Sequence, residues 1–354
     1  MTAPLDLPIP VRAGEALDAA ALEGWLGANA PELAGPLTIA QFPSGHSNLT
    51  YLVTVGAREL VLRRPPFGAA VKHGHDMGRE YRILSKLSAV YSPAPKPAAR
   101  CDDPAVLGAP FYLMERIPGV ILRRKNPDGL VTPEVAQRLS EAFVDNLARL
   151  HAIDYAAAGL GDLGHPDGYV RRQVEGWTAR YAAAKTDDID ELPRLAAWLA
   201  GRIPQERGAA LLHNDYKYDN LVLDPGDVTR IVGVLDWEMA TIGDPLMDLG
   251  TALGYWVEAG DADEMRALTF GPTDAAGSLT RQALIARYAR QSGRDCSGML
   301  FYYCFALFKL AVVLQQIYAR YKRGDTKDER FAPFIFAVQV LGATALRAAE
   351  RGTF

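Results

Sequence analysis

The order of the predicted elements limits the possible folds more than any other feature of this chain. Short apolar and β-branched runs bounded by turn signals predict strands in the first third of the sequence. These runs are residues 37–42, 49–55, 59–63 and 111–114. A three-residue link containing Gly56 joins two of them as a hairpin, and residues 14–29 and 76–87 carry apolar side chains at helical spacing. We therefore expect a small, mainly antiparallel sheet, preceded by one helix and carrying another.

The pattern changes after Pro118 and Gly119, where helical periodicity replaces strand-like runs. The predicted helices are residues 132–150, 167–184, 191–199, 246–257, 279–290, 298–323 and 333–351. Two short strands, residues 221–223 and 231–235, flank a turn-forming sequence and predict a second hairpin. The fold class is therefore α+β with two lobes. We predict a small antiparallel-sheet lobe over residues 1–116 and a larger helical lobe over residues 117–354.

The charge balance and composition exclude several functional classes. Lys plus Arg number 38 against 42 Asp plus Glu, which gives a net charge of −4 and a pI of about 5.9. No domain-scale basic excess exists, so nucleic-acid binding is not expected to be the main function. Hydrophobic residues make up 49% of the chain, which is ordinary for a globular protein with a real core.

The cysteines and apolar stretches predict where the protein resides. The chain has three cysteines, Cys101, Cys296 and Cys304, and no two of them form a C-x-x-C pair. A small, odd number of scattered cysteines is typical of a reducing compartment, so a cytoplasmic location is expected. The N-terminus has no basic start and no apolar run typical of a signal peptide. The most apolar stretch, residues 299–318, is interrupted by Lys309, so we expect a buried helix and no membrane span.

The segment that points to chemistry runs from His213 to Asn220 and fits the pattern H-x-D-x-x-x-x-N of a kinase catalytic loop. Asp236 follows 16 residues after Asn220, directly behind the second strand of the predicted hairpin. Phosphoryl transfer needs a carboxylate that orients and deprotonates the attacking hydroxyl, and Asp215 supplies one. It also needs oxygen ligands for Mg²⁺, which Asn220 and Asp236 supply.

The segment 213–250, including residues 242–249, resembles the aminoglycoside phosphotransferase and choline kinase family, whose members have the protein-kinase-like fold. The resemblance extends over about residues 35–350 and favours the branch of kinase-like domains fused to some acyl-CoA dehydrogenases. The residues that support this branch are Arg79-Glu80-Tyr81, Leu150-His151, Gln173 with Trp177, and Phe301-Tyr302-Tyr303. The resemblance implies ATP and Mg²⁺ as cofactors, Asp215 as the catalytic base, and Asn220 and Asp236 as metal ligands.

Four further polar residues lie close to these positions in the sequence. Glu238 shares a face with Asp236 in an extended segment, so it is either another metal ligand or a nearby supporting acid. Lys217 is a candidate catalytic cation for the γ-phosphate, although an exposed loop lysine is the alternative. Asp244 precedes Pro245 and is expected to cap a helix. The family resemblance implies that Asp244 and Asp248 brace the catalytic loop.

The predicted nucleotide contacts in the first lobe fall in two places. Ser44, Gly45, Ser47 and Asn48 lie in the turn between two strands, where the family has its phosphate-covering loop. Kinases also need a strand cation paired with a helix glutamate. Glu80 is that glutamate, but the strand holds Arg63 in the place of the usual lysine. We predict that Arg63, and not the adjacent Arg64, reaches the phosphates, and Lys72 is a second candidate cation.

The segment after the last strand of the first lobe is a candidate hinge. If the fold is kinase-like, the adenine ring hydrogen-bonds to backbone groups near Glu115 and Ile117. A simple linker between the lobes is equally compatible with this sequence.

The acceptor is expected to be a small molecule with a hydroxyl group. Residues 244–354 contain 12 Asp and Glu against 13 Lys and Arg, so they offer no field for a polycation such as an aminoglycoside. This balance favours a neutral or anionic acceptor, and the family branch suggests a hydroxy acid or hydroxyacyl compound. Candidate anion contacts are Arg123, Arg124, Lys125, Arg171, Arg172 and Arg180, although a solvated helix face is the alternative for most of them.

Three other functions stay open at this point. The missing strand lysine favours a nucleotide-binding pseudokinase that regulates without catalysis, whereas Asp215, Asn220 and Asp236 argue against it. An aminoglycoside phosphotransferase proper and a metal-dependent phosphohydrolase are the others. The sequence does not indicate an oligomeric state.

Overall fold

The structure of the protein is a computed structural model that describes residues 5–43, 48–67, 76–123, 126 and 129–354. The chain packs as two units. The first unit comprises Met1–Ile121, Ala156–Leu160 and Asn220–Met239, and the second comprises Leu122–Tyr155, Gly161–Asp219 and Ala240–Phe354. The hairpin with Asn220, Asp236 and Glu238, which the sequence analysis assigned to the second lobe, thus packs within the first unit.

The strands and helices follow the predicted order. The strands are β1 (Leu37–Gln41), β2 (Leu49–Val55), β3 (Arg58–Arg64), β4 (Pro97–Cys101), β5 (Phe111–Glu115), β6 (Ala210–Leu212), β7 (Leu221–Asp224), β8 (Asp227–Val234) and β9 (Thr241–Gly243). The helices are α1 (Ala19–Asn29), α2 (Met77–Leu87), α3 (Pro104–Leu107), α4 (Pro133–His151), α5 (Tyr169–Ala184), α6 (Glu191–Ala200), α7 (Pro245–Tyr255), α8 (Asp263–Arg266), α9 (Arg281–Ser292), α10 (Met299–Lys322) and α11 (Phe334–Arg351).

The first unit is built on an antiparallel sheet with the strand order β1-β2-β3-β5-β4. Apolar side chains of α1 and of the strands form its core, including Leu26, Tyr51 and Phe111. Helix α2 is capped by Asp76, whose carboxylate accepts a hydrogen bond from the amide of Arg79. The buried face of α2 is apolar except for Glu80, so this helix carries a carboxylate into the interior of the unit.

The hairpin β7–β8 places Asn220 and Asp236 next to each other. Strand β7 begins directly after Asn220, and Asp236 lies two residues beyond the end of β8. The amide of Leu235 donates to the carbonyl of Asn220 at 2.8 Å, which closes the open end of the hairpin. Gly119 packs against β7 so closely that a Cβ atom there would lie 2.4 Å from the carbonyl oxygen of Leu223.

The second unit is organised around the long helix α10, which packs against α5, α6, α7 and α11. Helix α7 approaches α10 through small residues. A Cβ atom on Gly250 would lie 2.7 Å from the carbonyl oxygen of Tyr302, and one on Gly254 would lie 2.9 Å from Ala306. Glycine therefore sets the distance between these two helices.

Two helical segments, Met299–Lys322 and Glu329–Arg351, are long and apolar enough to cross a membrane. In the first, 72% of the apolar window is buried inside the protein, which is typical of a core helix. The prediction of a buried helix over residues 299–318 is therefore confirmed.

The differences from the predicted elements have local causes. The first helix begins at Ala19 and not at residue 14, because Asp18 caps it by accepting from the amide of Ala21. Strand β4 was not predicted, since its sequence contains Pro97 and no β-branched residue. The three-residue strands β6 and β9, which pair with each other, are too short to give a sequence pattern.

Substitution of Gly250 by alanine tests the close packing of α7 on α10. The added methyl group meets backbone atoms that cannot move aside, so Gly250→Ala should lower the free energy of unfolding by about 1–3 kcal/mol. Gly176→Ala is the matched control within helix α5, because a Cβ atom there meets only the end of the Arg180 side chain, at 3.5 Å. It should raise stability by about 0.5–1 kcal/mol. Urea unfolding measures both, and equal effects would contradict this account of the contact.

Candidate active site

A buried ion pair links strand β3 to helix α2 in the first unit. Arg63 and Glu80 are 7% and 1% exposed, and Arg63 Nη1 donates to Glu80 Oε1 at 2.5 Å. Arg64 points to the opposite face, where its guanidinium donates to the carbonyl of Leu107 and lies over the ring of Phe67. The alternation of side chains along β3 therefore gives the two arginines different surroundings, and the predicted pairing of Arg63 with Glu80 is present.

The other arm of Arg63 reaches two acids beyond the hairpin. Its Nη2 donates to Asp236 Oδ1 at 3.1 Å and lies 3.7 Å from Glu238 Oε2, which also accepts from the side-chain amide of Asn48 at 2.7 Å. Burial opposes the charge of Arg63, but the nearby carboxylates, above all Glu80, keep its pKa well above the ordinary value. Asn48, Arg63, Glu80, Asp236 and Glu238 thus form one cluster, which we call the acid–arginine cluster.

Asp236 has a backbone conformation that is rare for an aspartate. Its φ is +69°, in the left-handed region, and the next amide, that of Trp237, donates to Glu80 Oε1 at 3.1 Å. The Trp237 indole is fully buried and donates to the carbonyl of Val234. Trp237 therefore anchors the turn that holds Asp236 beside Arg63.

The side chains in and next to this cluster include oxygen donors of the type that binds a magnesium ion. Asp236 and Glu238 offer carboxylates and Asn220 an amide oxygen, the hard donors that Mg²⁺ prefers. Within the residues that the structure describes, three or more His, Cys, Asp or Glu side chains are nowhere grouped as a metal site. Binding of Mg²⁺ does not require three or more protein ligands, because this ion is commonly held by one or two carboxylates together with substrate phosphates.

The predicted base, Asp215, lies in the second unit between a cation and a hydroxyl. Lys217 Nζ donates to its Oδ2 at 2.8 Å, and the Tyr255 hydroxyl donates to its Oδ1 at 2.6 Å. Burial raises the pKa of Asp215, but Lys217 and Tyr255 outweigh this effect and hold it below the ordinary value. Tyr255 ends helix α7 and was not predicted, since nothing in the sequence separates it from the other tyrosines.

The buried carboxylate of Asp248 holds the backbone that precedes Asp215. It accepts from the amides of His213 and Asn214, each at 2.7 Å, and lies 3.1 Å from His151 Nε2. His151 Nδ1 is in turn 2.7 Å from the Tyr288 hydroxyl. Burial opposes ionisation, but His151 and His213 lower the pKa of Asp248 below its ordinary value. Asn214 has a φ of +65°, so this carboxylate supports a strained residue.

The remaining predicted residues differ in how the structure places them. Asp244 caps α7 by accepting from the amide of Leu246 at 2.8 Å, as predicted, and also accepts from the Tyr302 hydroxyl.

The amide of Glu115 donates to the carbonyl of Lys96, so its N–H is not available to an adenine ring. Ile117 follows the end of β5. Ser44, Gly45, Ser47, Lys72, Arg124 and Lys125 lie outside the described residues.

The comparisons with known proteins agree with this geometry. The model of the phosphotransferase enzyme family matches residues 38–283. Acyl-CoA dehydrogenase family member 10 of Mus musculus is 33% identical over 322 residues, which are 90% of this chain and 30% of that protein. A solved structure from Ralstonia eutropha, provisionally described as an aminoglycoside phosphotransferase, is 30% identical with a TM-score of 0.81. The match covers 95% of this chain and 99% of that one.

The chain belongs to the phosphotransferase enzyme family. A choline kinase from Cryptosporidium parvum shares the fold at 14% identity, with a TM-score of 0.61 and coverage of 94% of this chain and 95% of that one. The predicted family and the bilobal kinase-like α+β fold are therefore confirmed. The chain spans less than half the length of the acyl-CoA dehydrogenase relatives that it matches.

Acid unfolding tests the ionised state of Asp248. Because its pKa is lowered in the folded protein, its carboxylate contributes stability above the ordinary aspartate pKa of ~3.9 and loses it as pH falls through the lowered value. Asp248→Asn should reduce the free energy of unfolding by about 2–3 kcal/mol at pH 7, and by less at pH 3. Asp263→Asn is the control, since that side chain is 96% exposed. A difference for Asp248→Asn that does not change with pH would mean that Asp248 is not ionised in the folded state.

Proposed function

We propose that this protein is a small-molecule kinase that transfers the γ-phosphoryl group of ATP, with Mg²⁺, to a hydroxyl group of its acceptor. The observation that carries the proposal is the buried pair of Arg63 and Glu80, with Asp236 at 3.1 Å from the same guanidinium. Kinases need a strand cation that pairs with a helix glutamate near a metal-binding acid. Membership of a phosphotransferase family supports this interpretation.

Arginine fulfils the role of the usual lysine through its geometry. Its guanidinium presents several N–H donors in a planar fork, so one arm binds Glu80 while the other faces Asp236. Arg63 would bind the phosphates of the nucleotide. Asp236, Asn220 and Glu238 would hold Mg²⁺, which neutralises charge on the β- and γ-phosphates when it is bound.

The state of Asp215 suits a general base. Its lowered pKa keeps the carboxylate ionised at neutral pH but makes it a weak base, so Asp215 would orient the attacking hydroxyl and accept its proton as the phosphoryl group is transferred. The cationic Lys217 beside it compensates negative charge from the transferred phosphoryl group. We further propose that the acceptor is neutral or anionic, a hydroxy acid or a hydroxyacyl compound. A cytoplasmic location is also proposed, since Cys101, Cys296 and Cys304 are all free.

Substitution of Asp215 by asparagine tests the base. Transfer to an alcohol acceptor should fall by about 10²–10⁴-fold, because the loss affects the chemical step. Affinity for Mg·ATP should stay within a factor of two, as measured by displacement of a fluorescent nucleotide. Equal turnover in Asp215→Asn and wild type would remove Asp215 from this role. If the wild type binds Mg·ATP and yields no ADP with any member of a panel of alcohols and hydroxyacyl compounds, a nucleotide-binding module is the better description.

A matched pair of arginine variants tests the strand cation. Arg63→Met should weaken Mg·ATP binding at least tenfold, since it removes the charge-assisted hydrogen bonds to phosphate. Arg64→Met should leave Mg·ATP affinity unchanged and lower only thermal stability, because Arg64 is 1% exposed and binds the carbonyl of Leu107. A larger loss of affinity in Arg64→Met would show that the other arginine binds the nucleotide.

A further inference from the structure

The chain that precedes helix α1 contains a segment, residues 5–12, that is fixed to the rest of the first unit by backbone hydrogen bonds, and we call it the strap. Its first anchor lies directly after the candidate hinge. The amide of Asp6 donates to the carbonyl of Gly119 at 3.1 Å, and Arg116 Nη2 donates to the carbonyl of Asp6 at 2.9 Å. The strap therefore begins next to the segment where a nucleobase is expected to bind.

Two further anchors hold the strap along the outer strand of the sheet. Ile9 and Gln41 exchange two backbone hydrogen bonds, at 2.7 and 2.9 Å, at the free edge of β1. The guanidinium of Arg12 then donates to the carbonyl of Pro43 at 2.8 Å, directly before the turn that is predicted to contact phosphates. The strap thus connects the two parts of the first unit between which a nucleotide is expected to lie.

Core packing does not explain the side chains of the strap. Of residues 5–12, only Val11 packs against the apolar core of the first unit, and it is partly buried. Leu5, Leu7 and Ile9 are 40%, 61% and 39% exposed, and the residues between them are less exposed. Alternate residues of an extended segment lie on one face, so the strap presents a row of apolar side chains. Three of the seven large apolar side chains that are exposed in the described part of the chain lie in this row.

The candidate hinge offers few hydrogen-bond donors to a base. The backbone amides of Glu115 and Arg116 both donate to carbonyls of neighbouring segments. Pro118 has no N–H group, so Ile117 is the only residue in the range 115–118 whose amide is left for a ligand. A base bound at this place would therefore depend on apolar contacts as well as on hydrogen bonds.

We propose that the strap forms the outer wall of the nucleobase subsite, and that Leu5 and Leu7 pack against the purine ring of the bound nucleotide. These two leucines flank Asp6, the residue that is anchored beside the hinge. A flat aromatic ring is a suitable partner for exposed aliphatic side chains, because the contact removes apolar surface of both from water. This inference rests on the proposed function, since it assumes that a nucleotide binds between the hinge and the turn after Pro43.

Two probes that differ only on the side of the base test the proposal. Mg·ATP and Mg·tripolyphosphate both carry three phosphates, but the second has no base and no ribose. In calorimetry, the double variant Leu5→Ser/Leu7→Ser should bind Mg·ATP about tenfold more weakly than the wild type, because an apolar contact is lost. Its affinity for Mg·tripolyphosphate should stay within twofold. Val90→Ser is the matched control in the same unit, since Val90 is 54% exposed and lies outside the strap, and it should change neither affinity.

Hydrogen exchange of the wild-type protein gives a second measurement that needs no substitution. Mg·ATP should slow exchange of the amides of residues 5–12, whereas Mg·tripolyphosphate should not. Unchanged affinity of the double variant for Mg·ATP, or a loss that Mg·tripolyphosphate shares equally, would overturn the proposal. So would exchange in the strap that Mg·ATP does not slow. Absence of Mg·ATP binding in the wild type counts against the proposed function as well, whereas Mg·ATP binding without any effect of or on the strap counts only against the present inference.

Discussion

The ion pair between Arg63 and Glu80 is the interaction on which the first unit depends. It joins the central strand β3 to helix α2, and its second arm fixes Asp236 beyond the hairpin β7–β8. Three separate segments of the chain are thus held by one guanidinium. A buried charge that loses its partner costs about 3–5 kcal/mol, so neither residue can be replaced alone without weakening the unit. The same pair aligns the groups that are proposed to bind the nucleotide.

The second unit has a comparable centre in Asp248. Its carboxylate accepts the two consecutive amides of His213 and Asn214 and is itself oriented by His151. The loop that begins at His213 is therefore fixed from a helix by hydrogen bonds to its backbone, and side chains such as Asp215 are left to contact other groups. Two other residues, Lys217 and Tyr255, donate hydrogen bonds to the carboxylate of Asp215 and stabilise its charge. Support of the loop and control of the charge on the proposed base, Asp215, are assigned to different residues.

Much of the fold was predictable because its elements have strong local signals. The hairpins, the change to helices after Pro118 and Gly119, and the pairing of Arg63 with Glu80 follow from periodicity, turn residues and a family motif. Strand β4 and the pair β6–β9 were not predictable, since short strands gain their stability from neighbours and not from their own sequence. Tyr255 gave no signal, and Lys309 stood out only as a charge within an apolar stretch, because only the tertiary structure brings them to Asp215 and Asn214. Whether the predicted catalytic and metal-binding roles hold stays a prediction.

The left-handed backbone at Asn214 and Asp236 limits how far substitutions can raise the thermal stability of this protein without loss of activity. Among the described residues these are the only two other than glycine with a positive φ. Each such conformation stores about 1–3 kcal/mol of strain, which glycine would relieve. A search for thermostable variants would therefore favour Asn214→Gly and Asp236→Gly. The second of these changes removes the carboxylate beside Arg63, so the most heat-resistant descendants of this chain are expected to include inactive ones.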